Sequence, residues 1–251
     1  MFLQDSDYWF YSRRALPGET PDFSTTGRVI SVSRGLWLAA TAGVRDWLPA
    51  TAAGSPAFGD WVRLRTPHGP IVEVLPRLSV FERLEPGQGG ARQVLAANAD
   101  TIVLLMGLDG DWNPRRLERM LALAWASGSD PVVVLNKRDL AADPAGRVRE
   151  AAALAGNAPV LAISALSGEG CEPLTDWLTP SSTTVLAGSS GAGKSTLLNR
   201  LLGAAIQVTR EVRASDSRGR HTTTRRELFR LPNGAWVGDL PGVREWQLTR
   251  E

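Results

Sequence analysis

"VVVLNKRDL" (Val132–Leu140) and "VLAGSSGAGKST" (Val185–Thr196) together decide the fold of this chain. In the first, an apolar run stops at Asn136-Lys137-Arg138-Asp139. In the second, an apolar run stops at a glycine-rich loop, Gly188 to Ser195, that fits G-x-x-x-x-G-K-[ST] and opens a helical pattern. Short continuous apolar runs that each end in a polar loop are strands covered on both faces, as in the parallel sheet of an α/β protein. The surrounding stretches agree. "ADTIVLLMGL" (99–108) and "PVLAIS" (159–164) read as buried strands. "NPRRLERMLALAWASG" (113–128) reads as a helix with Pro114 in its first turn and Gly128 just past its end, and "PAGRVREAAALAG" (144–156) reads as another. "GCEPLTDWL" (170–178) is a short helix, "TTVLAG" (183–188) a strand and "GKSTLLNRLLG" (193–203) a helix.

Upstream the pattern differs. "GRVISVSRGLWLAA" (27–40), "VRDWLPA" (44–50), "GDWVRLR" (59–65) and "PIVEVLP" (70–76) are short strands separated by Gly- and Pro-rich turns. Strands at such close spacing without intervening helices predict a small barrel. "LEPGQGGARQ" (84–93) reads as a linker, which divides the chain into a barrel over 1–88 and an α/β domain over 89–251. The fold class is thus α/β, with a small N-terminal β-barrel ahead of a phosphate-loop domain.

The chain has 251 residues, 43% hydrophobic and 22% charged, which is ordinary for a globular protein. No apolar run is long enough to cross a bilayer, and "MFLQDSDYWF" has two Asp and no basic residue, unlike a signal peptide. The single cysteine, Cys171, fits a reducing cytosol and excludes a multi-cysteine zinc site within these residues. A cytoplasmic protein with no membrane partner is expected. Net charge is only 28 − 26 = +2. Residues 210–230 hold seven Arg against Glu211, Asp216 and Glu227, a local +4 that can meet phosphates or serve as a solvated loop. Residues 1–95 are nearly neutral, with ten Arg against nine acids, so the barrel is not an electrostatic RNA binder by composition. Of 28 basic residues, 26 are Arg; the two lysines, Lys137 and Lys194, both lie inside the motifs quoted above. Beside packed phosphates an ammonium and a guanidinium are not interchangeable.

The chemistry follows from residue types. Gly191 and Gly193 permit the turns that aim backbone N–H groups at phosphates, and the helix N-terminus adds partial positive charge. Lys194 reaches the β- and γ-phosphates, and Ser195 is placed to ligate Mg²⁺. The Asp139 carboxylate can accept from N1–H and the 2-amino group of guanine, whereas adenine would oppose it with a lone pair. Asn136 can touch the base and tie this loop to the phosphate loop, and the Lys137 stem can lie over the ring. "SAL", Ser164 to Leu166, also follows a strand, and its Ala165 N–H suits the guanine carbonyl. "DLPG", Asp239 to Gly242, ends the apolar segment "AWVGDL". There Asp239 can hold Mg²⁺ through water, and the Gly242 N–H can sense the γ-phosphate. "GRHTTTRRE" (219–227) is where a switch threonine completes the Mg²⁺ shell; Thr223, the middle of three, is the choice, and His221 can orient water or touch RNA. The expected nucleotide contacts are Asn136, Lys137, Arg138, Asp139, Ser164, Ala165, Gly188, Ser189, Ser190, Gly191, Ala192, Gly193, Lys194, Ser195, Thr196 and Gly242. Lys194, Thr223 and His221 form the catalytic set. Ser195, Thr223 and Asp239 form the Mg²⁺ set. Val243 stands where a water-orienting Gln is common, so slow intrinsic hydrolysis is expected.

The motif order, NKRD then SAL, phosphate loop, TTT and DLPG, is that of a GTPase cut after DLPG and rejoined through its old termini. Such termini lie close together on the surface, so the parts can still converge. With this order, "FGDWV", "NADTIVLLMGL", "NKRDL", "GSSGAGKSTLLN", "GRHTTT" and "DLPGVREW" make the chain resemble the circularly permuted RsgA/YjeQ family of ribosome-biogenesis GTPases over nearly its whole length. The resemblance implies an OB-fold barrel that contacts rRNA, GTP/GDP and Mg²⁺ as ligands, hydrolysis stimulated by the small ribosomal subunit, and a role in its late maturation. A monomer that does not bind DNA is expected. The family usually continues into a C-terminal domain that binds zinc through three Cys and one His; this chain ends nine residues after Gly242 without them, so zinc is not expected within these residues. Two other readings share the motifs: a nucleotide-dependent ribosome-binding module with negligible hydrolysis, and a phosphate-loop ATPase or kinase, which NKRD opposes. Trp37, Trp47 and Trp61 of the barrel can stack on bases or pack its core and rim.

Overall fold

The structure is a computed structural model and describes residues 2–18, 22–33, 35–51, 55–84, 92–203 and 226–240. The N-terminal strands are β1 (Thr26–Ser33), β2 (Leu36–Ala40), β3 (Arg45–Leu48), β4 (Trp61–Leu64) and β5 (Ile71–Val74). β1 pairs antiparallel with β2 and β4, β2 with β3, and β4 with β5. Ala50, just past β3, bridges Ile71 of β5 in parallel, with the Ile71 N–H donating to the Pro49 carbonyl at 2.9 Å. That contact closes the circuit β1-β2-β3-β5-β4, which is the OB topology. Val29, Ala39, Leu48, Val62, Leu64 and Ile71 fill the interior, all from alternating strand positions.

A helix precedes the barrel that the strand pattern did not suggest: α1 (Asp5–Ala15). Its Asp7 accepts from the Gln4 N–H at 2.8 Å, and Arg13 and Arg14 sit in the last turn, so both ends suit the helix dipole. Its buried face is Asp7, Tyr8, Tyr11 and Ser12. Tyr11 stacks on Trp61, with centroids 4.7 Å apart and planes 15° apart. Trp61 is therefore core, Trp37 donates its indole N–H to the Pro56 carbonyl at 2.6 Å, and Trp47 is the exposed one of the three barrel tryptophans.

Residues 85–91 of the stretch read as a linker lie outside the described residues. β6 (Val80–Leu84) and β7 (Arg92–Ala97) flank it and pair antiparallel. The glycine-rich composition that suggested a linker is equally the composition of a turn.

The α/β part follows the reading closely: β8 (Thr101–Gly107), α2 (Pro114–Ala126), β9 (Asp130–Asn136), α3 (Pro144–Ala155), β10 (Val160–Ala162), β11 (Thr183–Gly188), α4 (Lys194–Leu202), β12 (Arg226–Arg230) and β13 (Trp236–Asp239). Asn113 caps α2 by accepting from the Arg116 N–H at 2.9 Å, and Asp143 caps α3 from the Gly146 N–H at 2.8 Å, each worth about 1 kcal/mol. The short helix after Cys171 is a 3-10 turn, Glu172–Trp177. β10, β9, β8, β11 and β13 run parallel in that order, and β12 joins antiparallel. β12 also pairs with β1 of the barrel, through Ser31↔Glu227, so one eleven-stranded sheet runs through both parts. Among the described residues no helix is long and apolar enough to cross a membrane.

Candidate functional site

Five parallel strands end along one edge, and four of them, β9, β10, β11 and β13, bring a motif. In register, Gly107 at the end of β8 lies beside Asn136 at the end of β9, and Leu135 lies beside Ala162 of β10. Gly188, which opens the phosphate loop, lies beside Leu105, and Asp239 lies beside Leu186. NKRD, SAL, the phosphate loop and Asp239 thus converge although the chain reaches them in permuted order. The carboxyl edge of an open parallel sheet is where such folds bind ligands.

Asn136 is the fastener. Its Nδ2 donates to the Ala192 carbonyl in the phosphate loop at 2.9 Å, and its Oδ1 accepts from the Ala165 N–H at 2.9 Å. At 2% exposure it is buried, so both bonds are shielded from water. The expected tie to the phosphate loop is present. The Ala165 N–H, expected to face a guanine carbonyl, is here given to Asn136. Gly193 has φ +96°, and a Cβ there would lie 2.1 Å from Asn136 Nδ2, so both conformation and space require glycine. Arg200 of α4 adds a second fastener, with Nε donating to the Ala165 carbonyl at 2.6 Å and Nη2 to the Leu166 carbonyl at 2.5 Å.

Lys194 is buried, and its Nζ donates to the carbonyls of Gly188 at 3.0 Å and Ser189 at 2.8 Å. The ammonium is folded back on its own loop, on acceptors that phosphate oxygens can replace. Burial pushes its pKa down, opposed by the fields of Asp239 and Asp111. Asp239 is pushed up to about 6 by burial, against the pull of Lys194. Its Oδ1 is buried with no hydrogen-bond partner among the described residues. A buried carboxylate oxygen without a donor is costly unless a cation or its water shell meets it, which fits the Mg²⁺ expected there. Ser195 and Thr196 sit half-buried in the first turn of α4, and Ser190 and Gly191 are exposed at the loop tip.

On the base side, Asp139 is exposed in the 3-10 turn Arg138–Leu140. Lys137 adopts a left-handed backbone, φ 63°, and pairs its ammonium with Asp109. Arg138 pairs with Glu169 at 3.3 Å. Ser164 is buried, and its hydroxyl accepts from the Ser167 N–H at 3.2 Å. His221, Thr223, Gly242 and Val243 lie outside the described residues, as does most of the Arg-rich segment. Among the described residues no group of three or more His, Cys, Asp or Glu gathers as a metal cage. Asp109, Asp111 and Arg200 escaped the sequence reading. Each acts through a contact between distant segments, which no local pattern marks.

The chain is similar to proteins named small ribosomal subunit biogenesis GTPase RsgA. That of Opitutus terrae is 51% identical over 211 residues, covering 79% of this chain and 58% of the relative. That of Leptospira interrogans is 47% identical, covering 77% and 55%. The chain thus spans little more than half the length of the curated relatives it matches. Among solved structures, YjeQ from Thermotoga maritima superposes with a TM-score of 0.63 at 25% identity, over 89% of this chain and 77% of that one. YloQ, described as a circularly permuted GTPase, gives 0.57 at 20% identity over 91% and 76%, which supports the shared fold alone. The sequence model of the RsgA GTPase matches residues 74–249, a span that takes in every motif on the strand edge and the hairpin before it; the chain belongs to the RsgA GTPase family.

Proposed function

We propose that the chain binds guanine nucleotide along this edge and hydrolyses GTP to GDP and phosphate. The observation that carries the reading is the double engagement of Asn136, which locks the base-reading and phosphate-holding loops into one unit. Asp139 supplies the guanine-selective acceptor, and the phosphate-loop amides with Lys194 hold the phosphates. Ser195, Thr223 and, through water, Asp239 would hold Mg²⁺, which would neutralise phosphate charge when bound. Gly242 and His221 complete the site on the γ-phosphate side. We further assign the protein to the cytoplasm as a monomer whose partner is the small ribosomal subunit and its rRNA, acting in late maturation of that subunit; the names of its relatives support the link to the small subunit.

The test is GTP turnover at fixed Mg²⁺ with and without purified small subunits, alongside Lys194→Ala. Stimulation by subunits that the substitution abolishes is expected. GTP binding without stimulation would leave a nucleotide-dependent binding module, and equal affinity for ATP would sink the guanine reading.

A further inference from the structure

The loop between β8 and α2, Gly107 to Asn113, lies between the two halves of the nucleotide edge and touches both. Its first carboxylate, Asp109, pairs with Lys137 of NKRD. Its second, Asp111, accepts from the Ser189 hydroxyl of the phosphate loop at 2.6 Å. Asp111 is itself fixed from two sides. Its Oδ2 also accepts from the Gly107 N–H at 3.1 Å, and its Oδ1 accepts from Arg116 Nη2 at 2.6 Å. Gly107 leaves room for the arrangement, since a Cβ there would lie 2.5 Å from Asp109 Oδ1. Two anions beside a phosphate site are an electrostatic liability unless they are neutralised and hold something in place. Here each is neutralised, one by Lys137 and the other by Arg116, and each holds a nucleotide motif.

We propose that Asp109 and Asp111 are positioning residues for the nucleotide site: Asp109 sets the Lys137 side chain for the base, Asp111 sets Ser189 and with it the start of the phosphate loop, and their shared loop couples the two. The inference rests on the guanine-nucleotide reading above. It assigns no contact between either carboxylate and the nucleotide. Both act through the side chains they hold. A charge-assisted bond in a partly buried setting holds its partner well enough that its loss is felt in binding.

The experiment is calorimetric titration of GDP and Mg²⁺ into the full chain, arranged as two double-mutant cycles. The first pairs Asp111→Ala with Ser189→Ala, and the second pairs Asp109→Ala with Lys137→Ala. Each single change should weaken GDP on the order of tenfold, and each double no more than the worse single. Binding stoichiometry should stay near one per chain, and with GTP the loss should fall in KM rather than kcat, a split that general loosening of the fold would not produce. Asp111→Asn, which keeps an acceptor for Ser189, serves if the alanine variant does not fold, and it should lose less. Additive losses within a cycle, or Asp109→Ala and Asp111→Ala binding GDP within about twofold of the parent, would overturn the proposal while leaving the nucleotide reading intact. If the parent chain failed to bind GDP, both would fall together.

Discussion

The two sides of β11 and β13 are built on opposite plans. Toward β8 and β9 the sheet is dry on both faces: Ile102, Leu104, Val133, Leu135 and Val185 are buried on one, and Val103, Leu105, Val132 and Val134 on the other. Toward the barrel the seam is polar. Arg28 of β1, 2% exposed, donates to the Thr183 hydroxyl at 2.7 Å and lies over the rings of Trp61 and Trp236. Burial pulls its guanidinium down to about 10, opposed by Asp100, Asp7 and Asp60. Asp7 of α1 accepts from the Trp236 indole at 3.0 Å, and Asp60 takes two bonds from Arg77, at 2.7 and 2.6 Å. Apolar packing holds a sheet together with little regard for exact partners, whereas a buried polar seam tolerates one arrangement. The dry side supplies stability, and the wet side fixes how the barrel sits on the strand that ends at Asp239.

That contrast can be broken at four places. Leu104→Ala in the dry interior should cost about 4 kcal/mol, read by denaturant unfolding, because a fully buried leucine leaves a cavity in a sheet that cannot collapse. Asp60→Ala should cost about 3 kcal/mol, since it strands Arg77 and the Ala57 N–H together; a loss below 1 kcal/mol would mean the seam is water-accessible. The third place is Asp239, at the junction. Its folded value of about 6 exceeds its ordinary 3.8, so its contribution is fully present below pH ~4 and lost as pH rises through 6. The nucleotide-free protein should therefore lose roughly 2 kcal/mol of stability between pH 4 and 7, and Asp239→Asn should flatten that slope. The smallest effect is expected for Arg28→Met, about 1 kcal/mol. Its three acidic neighbours each keep another donor, and relief of desolvation offsets the lost bonds to the Thr183 hydroxyl and to the Gly59 and Asn98 carbonyls. A loss beyond 3 kcal/mol there would reverse the reading of the seam.

Much of the fold was legible because the dry side announces itself locally. "TIVLLMG" and "PVVVLN" are long apolar runs, and helices such as α2 carry Pro and Asn at their starts. The described site motifs are local too, and strand register with the bonds of Asn136 and Arg200 brings them together. The seam was not legible. Nothing local to Arg28, Asp7 or Asp60 marks it as buried; their partners, Thr183, Trp236 and Arg77, come from other segments. Helix α1 was overlooked because its buried face is two tyrosines and two polar residues rather than an aliphatic stripe.

The pairing of β1 with β12 also sets a timetable. The barrel can close on itself once residue 74 is made, but the free edge of β1 at Ser31 waits for Glu227. At ordinary synthesis speeds of about 5–20 residues per second, that edge stands open for roughly 10–40 s. Asp7 waits longer still for Trp236, 229 positions later. An unpaired strand edge is a template for the wrong neighbour. During its own synthesis this protein is thus most exposed to misassociation at the first strand it makes, and the step that ends the exposure is the same one that sets β13 in place.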